Sequence, residues 1–338
     1  MSLIFNSKYK GKILFVDQDV VYRSNSNVLF KSTNNGTSWK QILRYSIQGF
    51  VKKVGYQSHL TRRLLRLGGH HFFPYQNLAG IIYDKSTGII KDGVMSQSQP
   101  LIGSRPLSLE HINQGFVFGE YRSNPERSEI NVWKFGVNKE LHSIFKFKGI
   151  RHIHGIYKDP YTEQLWITTG DEDNEAAIYC SNDHLKTVEK ILFGSQQART
   201  IKLLFTETHI YFGSDAPHEV NYLYRLHRES KEAEQLQQVS SSVFHGCKVG
   251  DWLFFSTAVE PSRVNTTKYA EVWASPNGTE WKCIYKFKKD ILSMRYFQYG
   301  QVFFPNGPGD DKNLWLSPFA TKYDNNTFKI SIEIINNL

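Results

Sequence analysis

Cysteine is scarce in this chain of 338 residues, with only Cys180, Cys247 and Cys283. An odd number, widely spaced and without a Cys-x-x-Cys pair, excludes a disulfide framework and a cysteine zinc site. Long apolar runs are missing too. No stretch approaches the ~18 residues of a membrane span, and the N-terminal MSLIFNSKYKGKILFV turns polar too soon for a secretory signal. A cytoplasmic location is the resulting expectation. No segment carries a sustained helical period with caps, so helices are not expected to build the fold. Acid is in deficit: 32 Asp and Glu against 41 Lys and Arg leave a formal charge of +9. That excess favours an anionic partner, whether acidic polysaccharide, nucleic acid or membrane surface. No nucleic-acid motif accompanies it, which places nucleic acid last. The densest basic run, Lys52 to Arg66, reads as a solvated face.

What the chain has in quantity is aromatic residues, at 14%, and glycine, the mixture of many short strands joined by tight turns. One signature recurs: an aromatic-rich strand that ends in a small residue and often an acid. It reads FVFGEY at Phe116, LWITTGD at Leu165, IYFGSD at Ile210, WLFFST at Trp252 and QVFFPNG at Gln301, with HHFFP at His70 and KILFVDQ at Lys12 taken as the same place. Pro74, Gly119, Gly170, Gly213, Ser256 and Pro305 follow one another at intervals of 43 to 51 residues, the length of a four-stranded blade. Within one unit, HIHGIY, QLWITTG, AAIYCS and TVEKILF are four β-rich runs divided by turn signals. A blade cannot cover both its faces alone, but stacked neighbours bury them and ring closure hides the edges. The expectation is one all-β domain, a seven-bladed β-propeller of four-stranded antiparallel blades. Its approximate units are 1–59, 60–104, 105–149, 150–196, 197–240, 241–289 and 290–338. The first unit holds four strands of its own, so closure without strand exchange is expected.

Two turns carry a further pattern, Ser32-Thr-Asn-Asn-Gly-Thr-Ser-Trp39 and Ser275-Pro-Asn-Gly-Thr-Glu-Trp281. They resemble the Asp-box (BNR) repeat of sialidases and related propellers, with Asn34 and Asn277 where that family usually has Asp. The second copy is one residue shorter, and Ser181-Asn-Asp183 is a degenerate third. In such a hairpin the Asn or Asp oxygen accepts backbone N–H bonds, Gly36 or Gly278 supplies a positive φ, and Trp39 or Trp281 packs between sheets. The resemblance implies rim turns away from any substrate, so Ser32, Asn34, Gly36, Trp39, Ser275, Asn277, Gly278 and Trp281 are read as structural. Residues 150–290 are also similar to Asp-box proteins encoded near bacterial polysaccharide genes, which implies a glycan context but no defined reaction.

Alternating strand direction places the leading end of each innermost strand and the loop after the second strand on one face. Polar residues at those two positions should therefore converge. The first position offers Arg62, Arg63, Arg105, Arg151 with His152 and His154, Arg199, His245, and Lys289 with Asp290. The second offers Asn77, Glu120 with Tyr121 and Arg122, Asp171 with Asp173, Asp215, Glu260 and Asn306. His152 and His154 share a strand face, which suits a metal pair or a base with its helper, or equally two structural histidines. Asp171 is either a turn former or a functional acid. Arg199 suits bidentate grip on a carboxylate, against an ion pair between blades.

Three functions remain open. A lyase acting on an acidic, uronate-containing glycan would use Arg199 or Arg151 to neutralise the carboxylate, His152 or His154 as base and Tyr121 as acid. The remaining residues, Glu120, Arg122, Asp173, Asp215, Glu260, His245 and Asn306, would bind substrate. A glycoside hydrolase would pair two carboxylates from Asp171, Asp215, Glu120 and Glu260, although the Arg-Ile-Pro motif of sialidases is missing. A non-catalytic propeller would bind glycan or protein through the same face. No cofactor is demanded by the sequence; a divalent metal at His152 and His154 is compatible with it.

Overall fold

The computed structural model describes residues 7–113, 115–137 and 139–337. Seven sheets, antiparallel but for one short parallel pairing, make a seven-bladed β-propeller, as the repeat predicts. By contact the chain falls into two compact units, Met1–Phe72 with His245–Pro261 and Thr266–Leu338, and Phe73–Phe244 with Ser262–Asn265.

The second unit holds the strands Leu78–Tyr83, Ser86–Lys91 and Val94–Pro100 of one sheet, which Gly69–Tyr75 completes. It also holds three whole sheets: Glu110–Ile112, Gly115–Gly119, Ile130–Gly136 and Lys139–Phe147; His152–Lys158, Leu165–Gly170, Ala177–Ser181 and Glu189–Phe193; Thr200–Phe205, His209–Ser214, Asn221–His227 and Ala233–Val239. Second strands such as Leu165–Gly170 are buried along their whole length, whereas a fourth strand such as Val94–Pro100 alternates towards solvent. An inner strand packs sheets on both faces, and an outer strand has water at its side. Ile130, Val132, Ile153, Ile156 and Ile167 fill one space between neighbouring sheets, and Trp166, Ile178, Leu203 and Phe212 fill the next. Each such side chain contributes roughly 1.5–3 kcal/mol by leaving water.

In the first unit the sheet Lys12–Asp17, Val20–Asn25, Val28–Ser32 and Lys40–Arg44 gains Asn306–Gly309, paired in parallel with Lys12–Asp17. A second sheet is Val243–Val249, Trp252–Thr257, Tyr269–Ser275 and Lys282–Lys288. The third corrects the expected closure. Gln301–Phe303, Asn313–Phe319 and Asn326–Ser331 take their outermost strand from the other end of the chain, Ser7–Lys10, with Ser7 opposite Lys329 and Lys10 opposite Asn326. The described residues 7–59 hold five strands, and the first is given to the last blade. Strand exchange covers an edge that would otherwise present unpaired backbone groups.

Two more expectations change. The signature at Lys12, His70 and Gln301 lies on the first of the antiparallel strands of its sheet, not on the second where the other four copies lie. Both strands are packed on two faces and read as apolar-aromatic runs, so composition does not separate them. The basic run is not simply a solvated face and is not without helix. It folds as α1, Phe50–Gly55, and α2, His59–Leu65, the latter opened by a reciprocal Ser58–Thr61 capping box. Arg63 is 4% exposed and is bonded to both Asp290 and Asp324. Arg63 Nε also donates to the Phe297 carbonyl at 2.7 Å.

The three Ser-led turns share one bonding plan between third and fourth strands. Ser32 Oγ accepts from Gly36 N at 2.9 Å, Ser275 Oγ from Gly278 N at 2.8 Å and Ser181 Oγ from Leu185 N at 2.9 Å. Asn34, Asn277 and Asp183 accept the next backbone N–H groups through Oδ1. Gly36 and Gly278 have φ of 84° and 74°, and Leu185 takes the same left-handed region at 68° despite its side chain. Trp39 packs against Tyr9 and Arg23, and Trp281 against Phe255.

Candidate functional site

The sheet from His152 to Phe193 brings the charged and imidazole groups together. His152 opens its innermost strand opposite Gly170, and a one-residue bulge between Ile153 and Gly155 leaves His154 without a cross-strand partner. A bulge re-aims the side chain it carries. His154 and His152 consequently meet, Nε2 to Nε2, at 3.2 Å. Gly170 keeps the approach open, because a Cβ there would lie 3.0 Å from Arg199 Cγ and 3.5 Å from His154 Cε1.

Asp171, the next residue, is the hub. Its Oδ1 lies 3.5 Å from Nε2 of both His152 and His154 and 3.2 Å from Arg199 Nη2, and its Oδ2 accepts from Arg151 Nη1 at 2.9 Å. Its backbone carbonyl accepts from Arg199 Nη1 at 3.0 Å and Gln196 Nε2 at 3.1 Å. Arg199 Nε also lies 3.4 Å from Asp215 Oδ2. Tyr121 closes the cluster, its ring centroid 4.1 Å from that of His152.

The outer nitrogens of the two imidazoles fix the protons. His152 Nδ1 faces the Arg122 carbonyl at 3.3 Å and His154 Nδ1 faces the Thr200 carbonyl at 3.2 Å. A carbonyl only accepts, so each Nδ1 carries hydrogen and each neutral ring presents a bare Nε2. Two nitrogen lone pairs and a carboxylate oxygen then point at one place, a set that calls for a proton or a cation between them. Burial opposes ionisation of Asp171, but once an imidazole also takes a proton at Nε2, its hydrogen bond and positive charge hold the Asp171 carboxyl well below the usual carboxylate range. Burial lowers the pKa of His154, with Asp171 acting against that and the His152 and Arg199 charges adding to it.

The donor set fits a divalent metal. His152, His154 and Asp171 each offer one atom, all within 4.8 Å of one another. Bonds of about 2.0–2.2 Å at tetrahedral angles set ligand atoms roughly 3.3–3.6 Å apart, and the three separations here are 3.2, 3.5 and 3.5 Å. Arg199 shares Asp171 Oδ1 with this set.

Other candidates have different tasks. Glu120 Oε1 accepts from Arg122 Nε at 2.6 Å, and its Oε2 accepts from Asn131 Nδ2 at 2.8 Å and Trp133 Nε1 at 3.2 Å. Arg122 is spent further on Asn124, Ser128 and the Glu129 carbonyl. Asp173 is exposed and accepts from Gln196 at 2.8 Å. His245, Glu260 and Asn306 belong to the other unit. There His245 bonds Gln301 Oε1 at 2.8 Å and packs on Phe303, and Glu260 follows the strand Trp252–Thr257. Asn306 does not leave a second strand as expected; it follows an innermost one and pairs with Phe15. Asn77 likewise sits between a first and a second strand.

Sequence reasoning missed Glu175 and Gln196. Buried Glu175 takes Arg127 on one oxygen and the Arg151 N–H, at 2.9 Å, on the other, which sets the backbone that leads into His152. The only signal for it was one more acid in Asp171-Glu-Asp-Asn-Glu175.

No family model matches the sequence, and no curated protein matches it. Solved structures do match in fold. A chain of a mitotic checkpoint complex is 9% identical, with 97% of this chain and 94% of that chain covered, at a TM-score of 0.60. YCF48 bound to a D1 peptide is 10% identical over 97% and 98%, at 0.59. An oligogalacturonate lyase in complex with manganese is 8% identical over 96% and 89%, at 0.55. At such identities these likenesses establish the propeller and nothing about chemistry.

Proposed function

We propose that the Asp171 cluster is the centre of a lyase that cleaves an acidic, uronate-containing glycan by β-elimination. The observation that carries this reading is the convergence of His152 Nε2, His154 Nε2 and Asp171 Oδ1 on one place beside a tyrosine and two arginines. Elimination needs a base for the proton beside the uronate carboxylate, a positive group on that carboxylate and an acid for the departing oxygen. His152 serves as base through its bare Nε2, and Asp171 stabilises the imidazolium that forms. The released electron pair becomes the new ring double bond as the glycosidic C–O bond breaks, and the Tyr121 hydroxyl protonates the leaving oxygen. Arg199 is met by Asp171 and Asp215, so Arg151, whose side chain is 40% exposed, takes the substrate carboxylate. A divalent cation held by His152, His154 and Asp171 would add positive charge beside that carboxylate but would take up the same Nε2 lone pair, so His152 acts as base only with the site free of metal. The manganese-bound oligogalacturonate lyase shares this fold, and the Asp-box resemblance of the two rim turns agrees with a glycan context.

The carboxylates argue against a hydrolase. Asp171, Asp215 and Glu120 are each engaged by arginine, and Asp171 is held ionised, whereas a glycosidase needs one protonated carboxyl. Incubation with a panel of uronate polysaccharides, with and without added manganese or zinc, tests the lyase through the ultraviolet absorbance of the unsaturated product. Binding with a flat trace across the panel would leave a non-catalytic glycan-binding propeller.

A further inference from the structure

Helix α2 is turned opposite to the usual way for a surface helix: it buries a cation and shows two of its three leucines to water. Arg63 is 4% exposed, while Leu60 and Leu64, one turn apart on another face, are 46% and 43% exposed. The orientation is imposed by the Arg63 clamp on Asp290, Asp324 and the Phe297 carbonyl. Around the leucines stand Phe50 and Val51 of α1, 80% and 64% exposed, and Ile291 and Tyr296, 101% and 55% exposed, the latter in a third short helix, α3, Met294–Phe297. Helix α2 packs against both α1 and α3, so these side chains form one neighbourhood. An apolar group of this kind marks an interaction surface, where scattered single residues would not.

Its charge has one sign. Residues 50–66 contain Lys52, Lys53, Arg62, Arg63 and Arg66 and no acid, and residues 291–299 contain Arg295 and no acid. With Arg63 spent inside, Lys53, Arg66 and Arg295 remain exposed beside the apolar side chains. We propose that this helical insertion between the first two blades docks on an anionic lipid surface. Phe50, Leu60, Leu64 and Ile291 enter the boundary between headgroups and acyl chains, and the cations pair with lipid phosphates. The charge pattern selects an anionic occupant. The protrusion of the apolar groups, fully so for Ile291, suits a deformable bilayer rather than a preformed protein cavity. Among the described residues no helix is long and apolar enough to cross a membrane, and the proposed contact is a peripheral one.

Co-sedimentation of the full chain with vesicles decides the matter. Phosphatidylcholine vesicles with about one third phosphatidylglycerol should carry the protein down, and pure phosphatidylcholine should carry roughly tenfold less. Raising salt to about 0.5 M should release most of it. The double variants Leu60→Ser with Leu64→Ser, and Phe50→Ser with Ile291→Ser, alter exposed positions and should each cut binding about tenfold at unchanged circular dichroism. Failure of the wild type to bind anionic vesicles overturns the proposal. So does binding that both double variants retain, or light scattering that shows this face joining two copies of the chain instead.

Discussion

His152 and His154 face each other at 3.2 Å, Nε2 to Nε2, with both outer nitrogens committed to backbone carbonyls. A cation added between them should therefore stabilise the fold. A metal present at about 100 times its Kd adds about 2.7 kcal/mol, seen as a rise in Tm with zinc or manganese after chelation. His154→Ala and Asp171→Asn should abolish the rise, because each deletes one of three ligand atoms. An equal rise in all three proteins would place any metal elsewhere.

Acid should weaken the protein in two stages. His154 has a lowered pKa, so below the unfolded value of about 6.5 the unfolded chain binds more protons and stability falls with pH. Asp171 is depressed too, and its contribution is complete above the unfolded value of about 3.9 and declines below it. Urea denaturation midpoints from pH 8 to 3 measure both. His154→Gln should flatten the upper stage and also reduce the lower one, because His154 is one of the two groups that depress Asp171.

The two arginines on Asp171 should separate by assay. Arg199, 13% exposed in its side chain, lies between Asp171 and Asp215. Arg199→Ala removes the cation shared by those two carboxylates and should cost about 3 kcal/mol of stability. Arg151 is 40% exposed, and Arg151→Ala should cost less than about 1 kcal/mol. In the lyase assay its effect should appear as a raised KM for uronate substrates. Equal stability losses in the two variants would contradict this division.

Deleting residues 1–10 should be severe. Ser7–Lys10 is the outer strand of the last sheet, and its removal bares the edge of Asn326–Ser331. Lower Tm and concentration-dependent aggregation are expected. A truncated chain that stays monomeric at full stability would mean that the exchanged strand is dispensable.

The three turn serines should behave alike. Ser32→Ala, Ser181→Ala and Ser275→Ala each remove an acceptor for backbone N–H together with the hydroxyl bond to Asn34, Asp183 or Asn277 Oδ1, and should each cost about 1 kcal/mol by denaturant titration. None should alter metal binding, since these turns join third to fourth strands and not the strands that carry His152 or Asp171.

The sequence by itself determined the repeat, the blade count and the turns, because those are local. A hairpin needs a serine oxygen and a left-handed position a few residues apart, and a buried strand needs an unbroken apolar run. It also singled out Arg151, His152, His154, Asp171 and Arg199, since strand alternation and blade period put them at corresponding ends. Only tertiary structure decided their roles. Which carboxylate meets Arg199, and which lone pairs are bare, depends on a bulge at His154 and on carbonyls from Arg122 and Thr200, 30 and 46 residues away. The exchange of Ser7–Lys10 and the inward turn of Arg63 were hidden for the same reason. A strand pattern does not name its partner, and a basic run does not reveal which cation finds Asp290 and Asp324 across more than 200 residues of chain. Pairing over such separations is settled by how strands and side chains pack in three dimensions, not by local composition.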